Sequence, residues 1–172
     1  MDWVFYVSGA VAVLATIMVI TEPNAVHALL YLIVSLLAVA VIFYVLGAPF
    51  VAALEVIIYA GAIVVLFLFI IMILNLAPGT TRREMTLFSV RAWLGPAILA
   101  AILFAEVVLV FPGISGQLTT GEMVEPPRVG LALFGPYLLG TELASLLLLA
   151  GLVGAYHLGR REHDWGDDGE VR

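Results

Sequence analysis

The chain contains no cysteine and no lysine, and only 12% of its residues are charged. Without cysteine there is no disulfide, no thiolate metal site and no cysteine-ligated iron–sulfur cluster. The three histidines, His27, His157 and His163, are too few and too scattered to form a metal centre. Soluble domains carry about 25% charged residues, so this chain has too little polar surface to cover a core in water. Apolar residues take the place of charge: 63% of the 172 residues are hydrophobic, and the mean hydropathy is +1.16. The net charge of −6 lies mostly in the C-terminal tail and identifies no partner. No nucleic-acid partner is expected.

Long hydrophobic runs are therefore the main feature. A membrane-spanning helix needs roughly 20 apolar residues at about 1.5 Å rise each. Five stretches qualify, at about 3–21, 25–46, 50–76, 93–111 and 137–158, within a transmembrane domain of residues 1–160. The first begins MDWVFYVSGA, acidic at its start and without a persuasive cleavage site, and reads as a retained span rather than a signal peptide. In TEPN (21–24), Pro23 stops one helix and Asn24 is placed to cap the next. GAP (47–49) breaks the second run from the third, with Pro49 at an early helical position. PGTT (78–81) and PGISG (112–116) close the third and fourth, and GPY (135–137) opens the fifth. The stretch 113–134 reads as an irregular cap, and 161–172 as a polar tail. A soluble bundle would show polar stripes at helical period, whereas these runs are apolar on all sides. The expectation is an all-α integral membrane protein of five transmembrane helices.

Arginine sets the orientation. Arg82, Arg83 and Arg91 lie between runs three and four, and Arg160, Arg161 and Arg172 follow run five. Five spans place both groups on one side, opposite Arg128. Basic residues favour the cytoplasmic face, which puts the N-terminus outside and the C-terminus and its tail in the cytoplasm.

Three carboxylates interrupt the runs. Glu55, Glu106 and Glu142 each stand six residues from a boundary proline, Pro49, Pro112 and Pro136 respectively. That spacing is roughly 9 Å along a helix. An acid near the centre of a span costs about 2.5–3.5 kcal/mol, and less toward its edge. No arginine or histidine of the chain stands at the same depth. Either the glutamates carry a proton or their partners belong to other chains. A third option, open to all three, is simply to reach the interface; it suits Glu106 best and Glu142 least, since Glu142, between LLG and LASLLLL, has no polar exit in the sequence. Acids that exchange protons inside a membrane suit a proton relay, so all three are candidates. Tyr59, four residues after Glu55, shares its helix face. Its hydroxyl meets either that acid or a backbone carbonyl.

Small residues recur. Gly61 stands mid-span, where glycine costs about 1 kcal/mol relative to alanine. Ser8/Ala12/Thr16 in the first run, and Gly140/Ala144, Ala150/Gly154 and Gly151/Ala155 in the fifth, are spaced for close helix packing. Ala60-Gly61-Ala62 also offers a place where helical register can change, as π-bulges do at functional positions.

The stretches TEPNAVHALLYLIVSLLAVA, ALEVIIYAGAIVVLFLFIIMILNL, LGPAIL and LFGPYLLGTELASLLLLAGLVGAYHLGR resemble subunit J of the bacterial proton-translocating NADH:quinone oxidoreductase, respiratory complex I. The resemblance implies a multi-pass, non-catalytic membrane-arm subunit of the bacterial inner membrane. Its FMN, iron–sulfur clusters and quinone would be held by other subunits, and its neighbours would be those equivalent to subunits A, H and K. It implies further that the third helix couples quinone reduction to proton translocation as a conformational and water gate. Tyr59 and Gly61 match the place of a π-bulge, and Val65 and Phe67 lie in the half that would turn. Whether this third helix is π-bulged or fully α-helical is open at the level of sequence. The family offers no role for Glu106. Two other readings remain: a small autonomous ion transporter or channel using the intramembrane glutamates, and a purely structural assembly protein. No internal repeat or broken helix is visible to support the transporter.

Overall fold

The computed structural model describes residues 2–75, 90–110 and 123–159. These form helices α1 (Asp2–Thr21), α2 (Ala25–Val45), α3 (Pro49–Leu54), a π-helical segment (Glu55–Ile63), α4 (Val64–Asn75), α5 (Val90–Val110), α6 (Pro126–Leu133) and α7 (Leu138–Gly159). No strand occurs among the described residues. α1, α2, the joined α3–π–α4 stretch and α7 are long and apolar enough to cross a membrane, whereas the apolar part of α5, Trp93–Leu109, is shorter. The expected helix ends at 78–81 and 112–116, and the tail from 161, lie outside the described residues.

Local chemistry explains the boundaries. The Asn24 side chain accepts a 3.0 Å hydrogen bond from the Val26 amide at the start of α2, the geometry of an N-cap. α2 ends at Gly47, whose φ of 86° is open to glycine at little cost. The Gly47 amide bonds the Tyr44 carbonyl and the Ala48 amide bonds that of Phe43, the paired closure of a Schellman motif. Pro49 then begins α3, where a missing amide hydrogen costs nothing.

Two differences from the sequence reading are physical. The segment expected as an irregular cap at 113–134 contains a helix, α6, because Pro126 and Pro127 sit in its first turn, where fixed φ favours helix rather than breaking it. The fourth helix begins at Val90 and runs through Pro96. A proline inside a helix removes one hydrogen bond, a loss that packed membrane helices absorb.

The chain divides into two compact units, Met1–Glu125 and Pro126–Arg172. In the first, α2 is central and packs against α1, α3, the π segment, α4 and α5. Its core joins Val11 and Ala15 of α1, Val34 and Ala38 of α2, and Leu103 of α5. The small residues of α1 act as spaced: Ser8 and Ala15 are wholly buried, and Thr16 Oγ1 meets Ser35 Oγ of α2 at 2.8 Å. Such interhelical hydrogen bonds replace the water that lipid cannot supply. In the second unit, α6 packs against α7, and α7 buries none of its residues. Gly140, Gly151 and Gly154 have open space where a Cβ would stand, so the small-residue pairs of the fifth run face outward from their own unit.

Candidate functional site

Span three holds the first site. From Glu55 to Ile63 the backbone is π-helical, with α-helix on either side. The Val64 amide reaches the Tyr59 carbonyl, a span of five residues instead of the α-helical four. Nine residues, EVIIYAGAI, is long for a feature that usually occupies one turn. The state left open by the sequence is therefore π-helical in this structure.

Gly61 relieves the tightest point of that geometry. A Cβ at position 61 would stand 3.2 Å from the Val56 carbonyl oxygen, tighter than ordinary contact. That oxygen lies five residues back, along the π spacing. Glycine accepts the close approach, and any larger residue must push the backbone.

The other residues named for this helix face away from their own chain. Tyr59 is 49% exposed and Val65 61%, and Phe67 is also exposed. Val64, which the sequence did not single out, is the buried anchor at the α4 boundary, 3% exposed. No hydrogen bond joins Tyr59 to Glu55 among the described residues. Glu55 is half-buried.

The acids separate by environment. Glu106, for which the interface was one option, is 3% exposed within the first unit. Its Oε2 accepts a 2.8 Å hydrogen bond from Ser8 Oγ of α1. The chain thus supplies this acid with a partner that sequence spacing did not reveal, since 98 residues separate the two. Glu142, which has no polar exit in the sequence, is exposed on α7 within its own unit, open to whatever adjoins that helix. Leucines flanking it in sequence point around the helix and do not cover it. Glu55 and Glu106 share the first unit with the π segment, whereas Glu142 belongs to the second.

At the cytoplasmic end expected for α1 and α2, His27 is buried and its Nδ1 lies 3.8 Å from Glu22 Oε1. Glu22 also accepts from the Asn24 amide at 3.3 Å. These contacts tie the 22–24 turn together. No group of three metal-ligating side chains occurs among the described residues.

Comparison with known proteins gives a consistent picture. Residues 15–158 match the family model of NADH-ubiquinone/plastoquinone oxidoreductase chain 6. The chain is 51% identical over 162 residues to NADH-quinone oxidoreductase subunit J of Escherichia coli K12, covering 94% of this chain and 88% of that one. It is 52% identical over 163 residues to the subunit J of Pseudomonas aeruginosa, covering 94% and 98%. To the subunit J of Buchnera aphidicola from Schizaphis graminum it is 44% identical, covering 94% and 99%.

Proposed function

Because the chain belongs to the family of NADH-quinone oxidoreductase chain 6, or subunit J, we propose that its third helix couples quinone reduction to proton translocation. The single observation that carries this reading is the π-helical stretch across Tyr59 and Gly61. Removing one residue from a π turn to restore α-helix rotates everything downstream by about 100° and shifts it by about 1.5 Å. α4 would turn by that amount, and Val64 would give up its buried place to a neighbour, Ile63 or Val65. Val65 and Phe67 would then present different faces to whatever adjoins them. An apolar helix that rotates in this way opens or closes a path for water without moving any charge of its own.

In this reading the chain is a non-catalytic subunit with five spans, N-terminus outside and C-terminus in the cytoplasm, in the bacterial inner membrane. The five spans rest on the five apolar runs, and their orientation on the six arginines of one side against Arg128 on the other, with 1–160 as the membrane domain and 161–172 as a cytoplasmic tail. The exposed apolar faces of α4 and α7 suit contact with lipid and with subunits equivalent to A, H and K. FMN, iron–sulfur clusters and quinone belong to other subunits. Glu55 and Glu142 would serve as accessory proton-relay acids, their side chains open to partners.

Gly61→Leu in the assembled enzyme tests the hinge. The expected outcome is loss of NADH-driven proton pumping and of coupled quinone reduction, with the complex still assembled on native gels. Wild-type pumping in that assembled variant overturns the proposal.

A further inference from the structure

Glu106 is a buried acid that the coupling reading does not use. α5 supplies it, and Ser8 of α1 holds its Oε2. Its other oxygen, Oε1, is buried with no hydrogen-bond partner. The same side chain forms part of the wall of a partly open cavity of about 730 Å³, whose mouth is edged by the exposed Val56 and Phe104. That cavity lies among α2, the α3–π stretch and α5, and its volume is within the range of ligand pockets. Its walls are otherwise apolar. Tyr44 of α2 is the only other lining residue with a polar side-chain atom, and α3 and the π segment contribute Ala52, Ala53 and Val56.

These surroundings decide the state of the carboxyl group. An ionised carboxylate offers about four lone-pair sites, and here a single hydroxyl fills one. No cation lines the cavity, and isolated charge in an apolar medium is strongly disfavoured. A neutral acid is the less costly state: Oε2 accepts from Ser8 Oγ, and a proton on Oε1, though it meets no acceptor, costs less than an uncompensated charge. Water does not relieve the alternative, because a stable buried water needs two to four polar partners and this cavity offers two widely apolar-flanked groups.

We infer that Glu106 and Ser8 form a proton-holding site, neutral in the present conformation, which exchanges its proton when water enters the cavity beside α3 and the π segment. In that step the O–H bond at Oε1 breaks, its proton passes to an entering water, and the carboxylate left behind is held by Ser8 and by further water. Return of the proton reverses each part. Ser8 of α1 contacts the acid. The side chains that line the cavity with it are Tyr44 and aliphatic residues of α2, aliphatic residues of α3 and the π segment, and Phe104 and aliphatic residues of its own helix, so no charged lining residue competes for the proton. The inference goes beyond the coupling role and does not depend on it, since it concerns occupancy of one acid rather than rotation of α4.

Infrared spectroscopy of the assembled enzyme in H2O and D2O tests it. A neutral carboxylic acid gives a carbonyl band separate from the amide bands, and deuterium exchange lowers its frequency. The expected result is a band present in the wild type, absent in Glu106→Gln, and raised in frequency by Ser8→Ala, which removes the hydrogen bond. Ala53→Phe, which narrows the cavity, is expected to slow the deuterium shift by about tenfold, because water then reaches the acid only when the added ring moves aside. Identical spectra for wild type and Glu106→Gln overturn the inference. Should Glu106→Gln fail to assemble, an unshifted band in Ser8→Ala has the same force. Exchange in Ala53→Phe at the wild-type rate removes the cavity as the route. None of these readouts requires turnover, so failure of the hinge proposal leaves them intact.

Discussion

Gly61 stands beneath the carbonyl of Val56, close enough that a Cβ would approach the oxygen to 3.2 Å. The contact belongs to the π geometry, because the two residues are five apart. It makes position 61 a tight place in this state of the helix, where a Cβ would require the Val56 carbonyl to give by a few tenths of an ångström.

Gly61→Ala is therefore expected to shift the third helix toward regular α-helix. Alanine gains about 1 kcal/mol over glycine in an α-helix, and the π state meets the close contact in addition. Hydrogen exchange of the Val64 amide, which bonds Tyr59 in the π state, reports the change, as does a structure of the variant. Retention of the full π segment in Gly61→Ala would show that the contact does not select the state.

Gly95 makes room for Tyr31. A Cβ on Gly95 would lie 3.1 Å from Tyr31 Cζ and closer still to its hydroxyl, and Tyr31 is buried. Gly95→Ala is expected to cost about 1–3 kcal/mol by overpacking. Tyr31→Phe, which removes the nearest atom, should recover part of the loss in the double variant. Thermal unfolding of the four proteins in detergent gives the cycle, and additive losses would exclude a direct clash.

Gly47 ends α2 at a φ of 86°. Gly47→Ala there should lower stability by about 1–2 kcal/mol, the left-handed penalty of an ordinary residue. Ala48→Gly, one position on and not left-handed, serves as the control in the same melting measurement.

The chain has no cysteine, so single-cysteine variants report topology without a background. Thr21→Cys is expected to react with an impermeant maleimide only from the cytoplasmic side, and Met123→Cys only from the outside. The reverse pattern would invert the arginine-based orientation.

Glu142→Gln is expected to assemble normally and to lower pumping only partly. Glu142 is exposed on α7 and lies outside the unit that holds the π segment. Abolished pumping in the assembled variant would raise it to an essential relay acid.

The sequence by itself determined the solvent of this protein, its helices and most of their ends. Those features depend on composition and on short-range chemistry: the scarcity of charge, the Asn24 cap, the Gly47 turn and Pro49 at a helix start act within a few residues of themselves. Family membership was likewise legible, because EVIIYAGAIVVLF is a contiguous motif. The proline pair Pro126-Pro127 hid the helix at 126–133, since such a pair marks either a break or a beginning. Only the tertiary structure decided that span three is π-helical, that Val64 anchors it, and that Ser8 meets Glu106 while Glu142 remains uncovered. Register over nine residues, and contacts across 98, depend on which helix faces which, and no local pattern along the chain records that.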